Sequence, residues 1–139
     1  MNNGFTLIEL LVVLALISII IAIILPKISI SPFTLKAQSL QLCNDIRGIR
    51  TLKMTEGGQY RILLNNDYYV VLDGTKTLKT VHMEEENRIG YDNSEVRFGY
   101  NGAPIHGGTT ISLHNDNLEI YYEITIVPAS GRIKLIKHN

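Results

Sequence analysis

The chain has 139 residues, and its lysines plus arginines equal its aspartates plus glutamates at 13 each, so no large electrostatic field marks it for nucleic acid or for an acidic partner. Beyond an apolar N-terminal block only about 110 residues remain, enough for one small body. Cys43 is the single cysteine, which excludes an intrachain disulfide and leaves the body to its apolar core.

From Leu10 to Leu25 every position is apolar except Ser18, and residues 5–25 are interrupted further only by Thr6 and Glu9. As a helix that stretch spans about 31 Å, close to one hydrocarbon core. A helix also satisfies its own backbone hydrogen bonds, which lipid requires and which overrides the weak helix propensity of the many β-branched residues. The sequence therefore predicts a transmembrane helix over 5–25. A secretory signal peptide is the rival reading, but Met1-Asn2-Asn3-Gly4 has no charged side chain and Pro26-Lys27-Ile28-Ser29 offers no small-x-small cleavage site. Glu9 is the informative residue. A carboxylate in an apolar span costs about 2.5–3.5 kcal/mol at the helix centre and less near an end. It either snorkels to water or finds a cation, and the span contains none.

Gly4-Phe5-Thr6-Leu7-Ile8-Glu9-Leu10-Leu11-Val12-Val13 resembles the processing motif of type IV prepilins and pseudopilins at every position, and Pro26 stands where that family commonly has proline. The resemblance implies that a membrane prepilin peptidase and methyltransferase cuts between Gly4 and Phe5 and methylates the new Phe5 amine. It implies an assembly role for Glu9, drawn to the Phe5 amine of a neighbouring subunit. The chemistry agrees, because cleavage creates a cation one helical turn from Glu9, and the pair is less costly in lipid than either charge alone. Gly4 suits a peptidase that needs an uncrowded, extended backbone. One departure is that family leaders usually carry Lys or Arg, whereas this one has only its terminal amine, and Lys27 lies beyond the span. The resemblance further implies a bacterial inner-membrane location, single-pass, with the leader cytoplasmic and the C-terminal body extracytoplasmic. The implied partners are other pilins or pseudopilins in a filament, an assembly platform protein and membrane lipid.

Pro26 should break the first helix, and Ser31-Pro32 reads as an N-cap with proline at the first helical position. Leu35, Leu42, Ile46 and Ile49 then form a narrow stripe at helical spacing, with Cys43 and Leu52 at its margins, up to a stop at Gly57-Gly58. Beyond Gly58 the pattern changes to period two. Strands are predicted over 60–64 and 68–72, joined by Asn65-Asn66-Asp67, then over 78–83 and 95–100 on either side of a charged loop, Glu84 to Arg88. Further strands over 109–114, 118–127 and 132–136 are separated by Asn115-Asp116-Asn117 and Pro128-Ala129-Ser130-Gly131, which completes an antiparallel meander. The expected fold class is α+β, pilin-like: leader 1–4, transmembrane helix 5–25, kinked amphipathic helix 26–57 and β-sheet body 58–139.

The C-terminal third is also similar to minor pseudopilins of the GspH/FimT type, through Phe98 with Gly102, Gly107-Gly108-Thr109-Thr110-Ile111 and Gly131-Arg132-Ile133. Some of that group are DNA-binding competence pilins with basic residues near the last turn. Here Arg132, Lys134 and Lys137 are the candidates for DNA, with Arg132, Lys134 and Ile136 sharing one face of a hairpin and Lys137 at its end. The competing reading is a solvated face opposite Ile133 and Leu135. No catalytic, metal or cofactor site is expected. His82, His106, His114 and His138 lack zinc spacing, and the acidic run Glu84 to Glu86 lacks the alternating oxygens of a calcium loop. Turn chemistry accounts for Asp73-Gly74 and Asn115 to Asn117 without calcium. No serine sits in a nucleophile signature, and Cys43 reads as a small core hydrophobe. The sequence thus reads as a minor pseudopilin or pilin of a type II secretion or type IV pilus-like filament, with a DNA-binding minor pilin of an uptake pilus as the alternative.

Overall fold

The computed structural model describes residues 6–24, 31–84 and 86–139. These form two compact units divided between Ile30 and Ser31. The first holds helix α1 (Leu7–Ile24). The expected break at Pro26 lies outside the described residues.

The second unit opens with α2 (Ser31–Glu56) and continues through β1 (Tyr60–Leu64), β2 (Tyr68–Asp73), β3 (Lys76–His82), β4 (Asn87–Tyr91), β5 (Glu95–Arg97), β6 (Thr109–Asn115), β7 (Tyr121–Ile126) and β8 (Ile133–His138). The strands build two antiparallel sheets of four, in the orders β3-β2-β1-β5 and β4-β6-β7-β8. This corrects the expected single meander, because the chain changes sheet at β4, at β5 and again at β6. The charged stretch expected as a loop supplies β4. Its Asn87 and Arg88 are strand residues, while Glu84 and Glu86 stay exposed. Two other expected strands are shorter than their composition suggested, since β5 stops at Arg97 and β7 starts only at Tyr121.

Helix α2 buries Leu35, Leu42, Cys43, Ile46 and Ile49, the predicted stripe, and adds Ser39, whose hydroxyl donates back to the Leu35 carbonyl at 2.7 Å. The stripe covers both sheets at once, meeting β1 and β5 of the first and β6, β7 and β8 of the second. Tyr69, Phe98, Ile62, Ile111, Leu113 and Ile124 complete a single continuous core. Burial pushes the Cys43 thiol above its ordinary value, with the charge of Arg47 opposing, so it stays protonated and unreactive.

Polar contacts fix the helix on each sheet. Asp45 accepts from the Tyr69 hydroxyl at 2.5 Å and from the Lys79 ammonium at 2.7 and 3.0 Å, which ties α2 to β2 and β3. Gln38 accepts from the Asn87 amide at 2.7 Å, and Asn87 accepts from Asn115 at 2.6 Å, which ties it to β4 and β6. At the other end of α2, Gly57 takes φ 73° to close the helix, and Lys53 donates to the Gly57 and Gly58 carbonyls at 3.3 and 2.8 Å.

Burial, then the hydrogen bond to Asp45, raises the pKa of Tyr69 above its ordinary value of 10.0. A raised folded-state pKa gives stability that is complete below the unfolded value and is lost as pH rises past it. Tyr69→Phe should therefore cost about 1.5 kcal/mol at neutral pH. It should also flatten the fall in stability above pH 10.0 relative to the parent, as read by urea unfolding at stepped alkaline pH.

Candidate functional site

Two regions hold the residues singled out by the sequence, one in each unit. In the first, Thr6 stands just before α1, and its Oγ1 accepts the Glu9 backbone N–H at 3.3 Å while its carbonyl accepts the Leu10 N–H at 3.2 Å. Threonine followed three residues later by glutamate is the capping-box pattern, and the Glu9 carboxylate sits in the first turn, where the helix dipole favours a negative charge. Taken only as an interruption of the apolar run, Thr6 hides this role, although T-x-x-E is there to see. Glu9 thus has a local reason for its place before any partner is considered. Gly4 and Phe5 lie outside the described residues.

Every side chain from Leu7 to Ile21 is exposed within the chain, so α1 has no apolar stripe to bury and is apolar on all sides. Such a helix is stable only when lipid or other apolar helices surround it. Its one mid-span polar group, the Ser18 hydroxyl, donates to the Leu14 carbonyl at 2.8 Å. Among the described residues no helix is long and apolar enough to cross a membrane. Helix α1 as described has 18 residues, about 27 Å against a hydrocarbon core of about 30 Å. Phe5 and Leu25, the ends of the expected span, are outside the described residues.

In the second unit, Arg132 and Lys134 are exposed beside the last turn, with Ile133 and Leu135 packed on the core beneath them. Among the described residues neither has a carboxylate partner, whereas Arg61, Lys79, Arg88 and Arg97 are all ion-paired. Lys137 is exposed too, but three positions along the strand from Lys134 it belongs to the opposite face. The structure therefore keeps Arg132 and Lys134 together and separates Lys137, which lies by the end where His138 stacks on Tyr121.

What holds the Arg132 turn is a clamp the sequence did not reveal. Arg50 of α2 donates through Nε to the Gly102 carbonyl at 2.9 Å and through Nη2 to the Ser130 carbonyl at 3.1 Å. Gly102 and Gly131 have φ of 75° and 61°, and a Cβ on Gly131 would run into the Gly102 carbonyl. The two glycines noticed as a recurring pattern are thus pressed together because two turns must both fit beneath one arginine. Arg132 follows directly, its N–H donating to the Ser130 hydroxyl at 3.3 Å. Tyr100, in the loop before Gly102, lies with the Lys53 ammonium 4.1 Å from its ring centroid.

Residues 1–25 match the family model described as the prokaryotic N-terminal methylation motif. No curated protein sequence matches the chain. Among solved structures, the type IV minor pilin FimU of Pseudomonas aeruginosa aligns with a TM-score of 0.65 at 12% identity, over 77% of this chain and 91% of that one. The minor pseudopilin EpsH of the Type 2 Secretion System of Vibrio cholerae aligns with a TM-score of 0.63 at 10% identity, over 73% of this chain and 95% of that one. The chain therefore joins a prepilin-type N-terminal motif to a minor-pilin fold, the combination implied by its resemblance to pseudopilins of the GspH/FimT type.

The clamp makes Gly131 far less replaceable than a glycine with the same backbone angle in the open. Gly131→Ala should cost about 2–3 kcal/mol in denaturant unfolding, from strain plus collision. Gly74→Ala, at φ 58° with nothing within 4 Å of the added carbon, should cost only about 1 kcal/mol.

Proposed function

We propose that this chain is a minor pilin or pseudopilin, processed between Gly4 and Phe5, anchored in the bacterial inner membrane by residues 5–25, and assembled through α1 into a type II secretion or type IV pilus-like filament. The reading rests on one conjunction: a methylation motif at residues 1–25 and, behind it, a body with the minor-pilin fold. A subunit of this design needs a helix that can pass from lipid into a bundle of like helices without exposing polar groups. Beyond Glu9 in its first turn, helix α1 meets that need, since Leu10 to Ile21 is apolar except for Ser18, whose hydroxyl is satisfied within the helix. In this reading the leader is cytoplasmic, the body is extracytoplasmic, and the partners are a prepilin peptidase, an assembly platform protein and neighbouring pilins. The chain acts as a structural subunit rather than as an enzyme.

Glu9 would then serve twice. Before cleavage it supports the first turn, and afterwards it pairs across the subunit boundary with the methylated Phe5 amine of the neighbour, where low dielectric strengthens the attraction. Mass spectrometry of membrane-extracted protein should show a chain that begins at N-methylated Phe5. An intact Met1, or cleavage beyond the apolar run, overturns the reading. Glu9→Val should leave membrane insertion intact and reduce filament incorporation, followed by co-sedimentation of the processed chain with sheared filaments.

The second reading, a DNA-binding minor pilin of an uptake pilus, is favoured by Arg132 and Lys134, exposed and without an ion-pair partner among the described residues, with Lys137 farther along the strand. It predicts retardation of duplexes of unrelated sequence at low salt. The double change Arg132→Ala and Lys134→Ala should reduce the salt slope by about 0.9 for each phosphate that is no longer neutralised. Binding unchanged by that double change removes this reading and leaves the structural subunit.

A further inference from the structure

Glu95 stands among more cations than one carboxylate can match. Ile62 and Leu64 of β1 and Val96 of β5 point to the core, which places Arg61, Glu95 and Arg97 on the outer face of the first sheet. Arg61 and Arg97 lie directly opposite each other in the ladder, where like charges repel. The Arg61 Nη1 reaches Oε1 of Glu95 at 3.3 Å, but the Arg97 Nε stays 3.8 Å from that oxygen, beyond a hydrogen bond. The other oxygen of Glu95 faces the His106 Nε2 at 3.6 Å.

The same two guanidiniums line a cleft. It has a volume of about 160 Å³ and is bounded by Gln59, Arg61, Gly74, Thr75 and Arg97, with no acidic side chain among them. At roughly 30 Å³ per water it holds about five waters, room enough for a small ion. Its donors are largely unused. Arg61 commits Nη1 to Glu95 and Nη2 to the Gly74 carbonyl at 3.1 Å, while its Nε is buried without a partner. Among the described residues the Arg97 and Gln59 side chains and the Thr75 hydroxyl make no hydrogen bond. Asp73, which borders Gly74, is already engaged by the Gln59 backbone N–H at 3.0 Å.

We propose that this cleft binds a tetrahedral oxyanion, a phosphate group held between Arg61 and Arg97. A guanidinium suits oxyanions because its parallel N–H groups meet two oxygens at once. A carboxylate offers one plane of acceptors, and Glu95 already supplies that here. A tetrahedral anion presents different edges to forks arriving from two strands, and the Gln59 amide and Thr75 hydroxyl remain for its other oxygens. Its charge also offsets the repulsion between the facing arginines, which the ladder otherwise bears. None of the lining residues belongs to the Arg132 turn, and the site does not depend on the filament reading. The phosphate group is either a free ion or part of a nucleic-acid backbone, since both present the same oxygens.

The test titrates the full chain, isotopically labelled in detergent micelles, with inorganic phosphate against chloride at matched ionic strength, and follows the arginine Nε–H signals by NMR. Signals missing in Arg61→Lys and in Arg97→Gln identify the two residues. Both should shift to saturation while that of Arg132 stays still. Arg97→Gln should bind phosphate at least about tenfold more weakly. Because it breaks no hydrogen bond among the described residues, its urea midpoint without phosphate should match the parent's. Phosphate should then raise the midpoint of the parent more than that of the variant, which separates binding from the general effect of the salt. Arg132→Ala with Lys134→Ala should bind phosphate as the parent does. No saturable shift, equal binding by Arg97→Gln, or a loss in the Arg132 and Lys134 variant as large as in Arg97→Gln overturns the site. A DNA duplex that displaces phosphate from the parent identifies the group as nucleic-acid backbone, and one that does not identifies a free ion; the site is supported by either result.

Discussion

The body depends on one helix stripe serving two sheets. With Cys43 unpaired there is no covalent staple, and among the described residues α2 is the one helix packed on both sheets of four strands. Burial of each large aliphatic side chain is worth roughly 1.5–3 kcal/mol. Leu35, Leu42, Ile46 and Ile49 therefore act on both sheets together, and a change that tilts the helix is felt by each. This explains why the helix carries directional polar contacts as well as apolar ones. Asp45 sets its register on the first sheet and Gln38 on the second, seven residues apart on nearly the same face. Apolar packing tolerates small slips. A carboxylate that must reach both Tyr69 and Lys79 does not.

How far this could be read from residues alone followed from the range of the interactions involved. The stripe of α2, its glycine stop and the β1–β2 hairpin depend on neighbours a few positions apart, and each was legible. Strand β4 was not. Asn-Arg-Ile-Gly-Tyr has one fully apolar core residue, and it is a strand because Asn87 finds Gln38 and Asn115, and because Gly90 leaves room for the Ser112 side chain across the ladder. Those partners are distant in sequence. The division into two sheets has the same origin, since period two says that a segment is a strand but not which neighbour it pairs with. In the candidate sites, Arg132 and Lys134 were visible as charges. Arg50, which positions their turn, carries no local sign of that role, because its carbonyl acceptors lie 52 and 80 residues away.

At the N-terminus, by contrast, everything informative is local. Thr6, Glu9 and an unbroken apolar run lie within a few turns, and the structure adds the hydrogen bond that joins the first two. That bond changes how the acid is understood. A carboxylate at the third position of a helix is favoured by the free N–H groups around it, so part of the cost of placing charge at an apolar boundary is offset before a partner arrives.

The charges at the ends of the body follow from the same economy of position. Antiparallel topology places alternate turns at opposite ends of α2, and Asp67, Glu84, Glu86, Asp116 and Glu119 lie in turns, whereas Arg61, Lys79, Arg88, Glu95, Arg97 and Lys134 lie in strands. Turn chemistry explains part of what is found at the Ser31 end. Asn65 and Asn115 accept backbone N–H groups from their own turns at 2.7 and 3.0 Å, as short side chains with an acceptor oxygen do. It does not explain Glu84, Glu86 or Glu119, whose longer side chains make no such bond among the described residues and which any solvated polar residue could replace.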